Sequence, residues 1–117
     1  MFKSKIIRVL PTATRGVSGK NGIIIVFEID SIEKEVTRTF NLPTSPKAKK
    51  SYLLQVLRDL NINIPESSVL MSPYLFSGYI SKMTEGLDLL TEVQNSGNPK
   101  YPWNITQIKL SNIHTEK

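Results

Sequence analysis

The chain contains no cysteine and a single histidine, His114, near its end. Disulfides, Cys/His metal sites and thiol- or histidine-centred catalysis therefore have no residues to work with. Long apolar runs are also missing. The longest, Ile23 to Phe27, falls far short of the roughly 18 to 20 residues that a spanning helix needs. The opening Met1-Phe2-Lys3-Ser4-Lys5 lacks the apolar centre of a signal peptide. Gly16, Gly19 and Gly22 are not followed by the Gly-Lys-Ser/Thr ending of a phosphate loop, and Glu28, Asp30, Glu33 and Glu35 crowd one strand-turn-strand without the spacing of a calcium loop. Those carboxylates read as a solvated turn. The expectation is a cytoplasmic, non-membrane, non-enzymatic protein with no cofactor and no metal.

What is present suits one domain spanning residues 1–117. The chain has 117 residues, 39% of them apolar and 21% charged, enough for one core and close to the globular average. Fifteen Lys and Arg face ten Asp and Glu, a net charge of +5. The excess is uneven: residues 1–60 hold eleven basic and five acidic side chains, a balance of +6, and residues 61–117 hold four and five, a balance of −1. Such asymmetry points to a binding face for a polyanion, against the plainer alternative of a modestly basic surface without one.

Lys3 to Leu10 is rich in β-branched residues and bounded by Pro11, a first strand. Thr12 to Gly22 carries three glycines and an Asn-Gly pair, a long basic hairpin loop. Ile23 to Asp30 is apolar on both alternating sets, as a central, covered strand requires. After the Ser31-Ile32-Glu33-Lys34 turn, Glu35 to Phe40 sets Val36, Arg38 and Phe40 against Glu35, Thr37 and Thr39, a half-exposed third strand. Ser45-Pro46 predicts a helix start, with the helix running to about Leu60 and Tyr52, Leu53, Val56, Leu57 and Leu60 forming its apolar stripe. Ser72-Pro73 predicts a second helix over Tyr74 to Met83 with Gly86 past its end, although Leu75, Ser77 and Tyr79 also alternate as a strand would. Leu87 to Val93 and Trp103 to Leu110 are strands four and five, joined by the turn-rich loop 94–102.

Three meandering strands, a helical segment and a final hairpin make a mainly β chain in the order of a five-stranded OB-fold barrel with a helix between strands three and four. An SH3-like barrel or a ferredoxin-like sheet is the alternative built from the same pieces. In the OB arrangement the loops joining strands one to two and four to five flank an oligonucleotide face. Here they are 11–22, with Arg15 and Lys20, and 94–102, with Lys100 and Tyr101.

Phe40-Asn41-Leu42-Pro43, the run Lys49 to Leu60, and Asn61-Ile62 resemble the strand-to-helix passage of small bacteriophage single-stranded DNA-binding proteins, of the lactococcal-phage type. Gly86 to Val93, the Gly-Asn-Pro loop and Tyr101-Pro102-Trp103-Asn104-Ile105 are similar to their last hairpin. The resemblance spans essentially the whole chain. It implies an OB fold, a homodimer, sequence-tolerant binding of single strands in phage DNA replication or recombination, contact with replication or recombination proteins of host or phage, and a place in the host cell cytoplasm. It does not extend to an acidic, Gly/Pro-rich recruiting tail of the bacterial relatives.

A single-strand groove needs cations that follow phosphates and flat side chains on which bases stack. The candidate DNA-binding set is Arg8, Arg15, Lys20, Arg38, Phe40, Lys100, Tyr101 and Trp103. Tyr101 and Trp103 are two apart and share a side; the alternative for Trp103 is the barrel core. Phe40 shares a strand face with Arg38, a mixed surface. Lys47, Lys49 and Lys50 cluster where positive charge opposes a helix dipole. The competing function is a small β-barrel protein-interaction module, a phage structural or regulatory subunit without nucleic-acid binding. Duplex recognition by a helix-turn-helix is the poorer third reading, because the long β-meander leaves no pair of adjacent helices with a basic recognition face.

Overall fold

The structure is a computed structural model and describes residues 2–12, 22–32, 34–42, 51–70, 72–99 and 102–111. In chain order its elements are β1 (Phe2–Thr12), β2 (Gly22–Ile29), β3 (Val36–Asn41), α1 (Tyr52–Asp59), α2 (Ser67–Leu70), α3 (Pro73–Thr84), β4 (Leu89–Asn95) and β5 (Trp103–Leu110). All neighbouring strands are antiparallel, and the sheet order is β3-β2-β1-β4-β5. The sheet curls into an OB-like half-barrel, and the helical segment lies between β3 and β4, as the strand pattern predicts.

One strand makes the curl possible. Phe2, Lys3 and Ser4 of β1 pair with β4, whereas Ser4 to Thr12 pair with β2. The register slips between Ile6 and Arg8. An extra residue at such a point strengthens the local twist and lets a strand turn from one half of a barrel to the other. Pro11 does not end β1. It sits opposite Ile23, in the part of β1 that pairs with β2 alone, where a missing N–H is tolerated on the open side.

The concave side carries the core. Ile23, Ile25, Phe27 and Ile29 of β2, with Val36 and Phe40 of β3, face Leu53, Leu54 and Leu57 of α1 and Phe76 and Ile80 of α3 in one buried cluster. Helix α3 packs on β1 and β2, and α1 on β3 and β5. Where β1 meets β4, the buried hydroxyls of Ser4 and Thr91 bond to each other, which satisfies two polar groups that burial would otherwise penalise.

The helix starts are capped as side-chain chemistry requires. Ser72 is the N-cap of α3, taking the Leu75 N–H at 3.2 Å, and Pro73 follows at the first helical position. The helical reading of 73–84 therefore holds over the strand alternative, and Gly86, at φ +76°, turns the chain out of it. The first helix corrects its prediction. Its cap is Ser51, extended at φ −81° and ψ 115° and accepting the Leu54 N–H, not Ser45. Within α1 the buried residues are Leu53, Leu54, Val56 and Leu57. Residues 43–50, including Lys47, Lys49 and Lys50, lie outside the described residues. The short α2, which periodicity does not announce, seats the fully buried Leu70.

Two glycines test this packing in opposite directions. A Cβ on Gly22 would run into the backbone carbonyl of Phe40 across the β2–β3 ladder, whereas one on Gly78 in α3 meets nothing within 4 Å. Gly22→Ala is expected to destabilise the fold by about 1–3 kcal/mol and Gly78→Ala to stabilise it by about 0.5–1 kcal/mol, read as shifts of the urea midpoint.

Candidate functional site

The convex face of β1, β2 and β3 follows from the register. Arg8 lies opposite Val26, which lies opposite Thr37; Leu10 lies opposite Ile24, which lies opposite Thr39. These two cross-strand rows form the floor of a groove of about 980 Å³, whose other wall is Ser96, Asn98, Trp103 and Asn104 from the β4–β5 hairpin. A smaller depression of about 150 Å³ adjoins it, lined by Lys34, Glu35, Val36, Thr37, Pro99, Pro102 and Trp103. Trp103 lines both and is 37% exposed. It stands on the rim at the first position of β5, outside the buried cluster.

The wall carrying Trp103 is held in place by the hairpin's own chemistry. The Ser96 N–H donates to the Pro102 carbonyl at 2.9 Å, and the Gly97 N–H donates to Asn95 Oδ1 at 2.8 Å, with Gly97 at φ +77°. That positive φ favours glycine, which has no Cβ to clash there. Leu10, 45% exposed, gives the floor an open apolar surface.

The candidate residues divide. Arg8, Arg38 and Trp103 come together around the larger groove. Arg8 and Arg38 are not on adjacent strands, since β2 separates β1 from β3. Arg15, Lys20, Lys100 and Tyr101 lie outside the described residues. Thr12, the last described residue before 13–21, pairs with Gly22, and Pro99 and Pro102, on either side of 100–101 in the sequence, line the smaller depression.

Phe40 is corrected. At 3% exposure it belongs to the core and presents no face to a ligand, because α1 lays Tyr52 against it with ring centroids 5.7 Å apart and planes 18° from parallel. Tyr52, expected on the buried stripe, is the outer member of this stack and is 40% exposed.

Arg38 completes the stack. Its guanidinium carbon lies 4.7 Å from the Tyr52 ring centroid and 5.3 Å from that of Phe40, and Nη1 donates to the Ile105 carbonyl on β5. No ladder joins β3 to β5 among the described residues, so this side chain bridges the seam of the half-barrel. Its Nε is buried without a partner. A role as a freely offered phosphate contact is therefore replaced by one in shaping the wall. Arg8, by contrast, is half exposed and paired with the equally exposed Glu35 at 2.5 Å.

Reading strand by strand could not find Glu35 or Tyr52, since each acts on a partner far along the chain. The outward alternation of Thr37 and Thr39 was the available signal for the floor. Among the described residues no helix is long and apolar enough to cross a membrane. Comparison of the chain with family models, with curated proteins and with solved structures gave no match.

The two arginines should separate in stability. Arg38→Ala loses a charge-assisted hydrogen bond and two ring contacts and is expected to cost about 2 kcal/mol, with Arg38→Lys recovering only part because an ammonium lacks the planar fork. Arg8→Ala breaks only an exposed pair and should stay within about 1 kcal/mol of the parent in the same denaturation experiment.

Proposed function

We propose that the chain binds single-stranded DNA without sequence preference, holding it unpaired by equilibrium binding and performing no chemistry on it. The observation that carries the reading is Trp103, standing exposed on the rim of a groove floored by Leu10, Ile24, Val26, Thr37 and Thr39. An open aromatic beside an apolar floor offers stacking surface to any base, since every base has a π-face. In the sequence, Arg15, Lys20 and Lys100 add three cations and Tyr101 a further aromatic to this reading, in 13–21 and 100–101, outside the described residues. The setting in phage replication or recombination, the homodimer, the partner proteins of host or phage and the host cytoplasm rest on the family resemblance alone.

A second reading, the protein-interaction module, is favoured by α3, where Tyr74 is 76% and Leu75 51% exposed with Met83 also at the surface. Salt separates the two. Phosphate binding releases counterions and weakens as salt rises, while an apolar protein interface changes little.

Trp103 is the one tryptophan, so its fluorescence reports the rim directly. Titration with oligo-dT is expected to quench it strongly at low salt and less at moderate salt, with duplex DNA of equal phosphate concentration giving little response. Trp103→Ala should weaken oligo-dT binding by about 5- to 150-fold, the worth of one stacked base, with little change in salt slope. No mobility shift of the oligonucleotide at low salt would sink the single-strand reading and leave the interaction module.

A further inference from the structure

Two described cations line the larger groove, Arg8 and Arg38. Arg38 is committed to the Ile105 carbonyl and the Tyr52 and Phe40 rings. Arg8 is the one whose guanidinium is held by a side chain at the surface. Its Nη2 lies 2.5 Å from Glu35 Oε1, and the two side chains are 52% and 49% exposed.

The pair is not a local surface contact. Arg8 belongs to β1 and Glu35 immediately precedes β3, with β2 between them. The link therefore spans β2 on the face that carries Val26, within the groove floor. Glu35 also lines the smaller depression, together with Lys34 and Trp103. A carboxylate in that place opposes any polyanion entering the groove, and it occupies the fork that a phosphate would use. Guanidinium groups donate to carboxylate and phosphate oxygens in the same planar geometry.

We infer that Glu35 is an internal competitor for the nucleic-acid phosphate: it holds Arg8 across the groove in the free protein and yields it to the backbone of an incoming single strand. This rests on the single-strand reading above. A pair this exposed shifts an equilibrium by a factor of only about 1.5 to 5, so a phosphate can displace the carboxylate, and the displaced Glu35 remains in the depression that Lys34 also lines. Glu35 thereby sets the groove's affinity below what Arg8 alone would give. It does so through Arg8, as an affinity-setting residue that makes no ligand contact of its own.

The test is a double-mutant cycle of oligo-dT binding with the full chain, using the parent, Glu35→Gln, Arg8→Gln and the double variant at several salt concentrations. Thermal melts confirm that all four fold. Glu35→Gln is expected to bind about 1.5- to 5-fold tighter, with a salt slope steeper by up to about 0.7. Arg8→Gln should bind more weakly, and adding Glu35→Gln to it should then change little. Unchanged or weaker binding by Glu35→Gln overturns the inference while leaving single-strand binding intact. A tightening that persists undiminished in the Arg8→Gln background overturns it too, because Glu35 would then act as a plain repulsive charge. Failure of the parent and Glu35→Gln alike to bind oligo-dT would remove the single-strand reading itself, and this inference with it.

Discussion

The seam between β3 and β5 governs what the rest of the molecule can be. Five antiparallel strands in the order β3-β2-β1-β4-β5 can lie as an open twisted sheet or roll until the two ends meet. No ladder joins those ends among the described residues. The two strands approach each other directly, and the contact is reinforced by α1, which packs on both, and by Arg38, which donates to the Ile105 carbonyl while its guanidinium lies against Tyr52 and Phe40. A planar cation suits this position: it stacks on rings with its face and reaches a carbonyl with its edge, where a methylene chain could do only one of these. The bulge in β1 supplies the twist that brings the ends near, and Arg38 holds them there.

The groove is a consequence of this closure. Its floor belongs to β1, β2 and β3, but its far wall, with Trp103 and Asn104, belongs to β5 and the hairpin that precedes it. Ile105, whose carbonyl Arg38 holds, is two residues from Trp103 on the same strand. Shifting that carbonyl would move the wall relative to the floor, so a side chain that need touch no ligand determines the spacing between Trp103 and the rows of Leu10 and Arg8.

Much of the fold is legible residue by residue because it depends on local patterns. Strand five is bounded as its β-branched run suggests, and β2 buries Ile23, Ile25, Phe27 and Ile29 along one alternating set and Val26 on the other, as its apolar pattern suggests. Ser72-Pro73 is a cap whose partner lies three residues away. Legibility fails where the deciding partner is distant. Ser45-Pro46 reads as an equally good cap in isolation, but the cap of α1 is Ser51. Phe40 and Arg38 share a face in sequence as they do in the structure, yet whether that face meets solvent or a helix depends on where α1 returns. Leu70 and its short helix have no periodicity to betray them. At the site, Trp103 was recognisable by type and place, whereas Glu35 is one of four neighbouring carboxylates and only the three-strand register singles it out.

The exposed surfaces differ in kind, and that difference bears on what each can hold. Helix α3 exposes Tyr74, Leu75 and Met83, large side chains spread around its outer half rather than lining a groove. The groove instead alternates chemistry across three strands: Leu10, Ile24 and Val26 on β1 and β2, then Thr37 and Thr39 on β3, then Asn98, Trp103 and Asn104 opposite. A purely apolar strip excludes ligands with polar edges, because their donors and acceptors would lose water without replacement. A floor that passes from aliphatic carbon to hydroxyl to amide within one groove is the composition that the proposed single-strand reading calls for, since it would suit flat rings with hydrogen-bonding rims. Nucleobases have that composition, and the strand alternation of β3, core residues inward and threonines outward, is what produces the surface that would receive them.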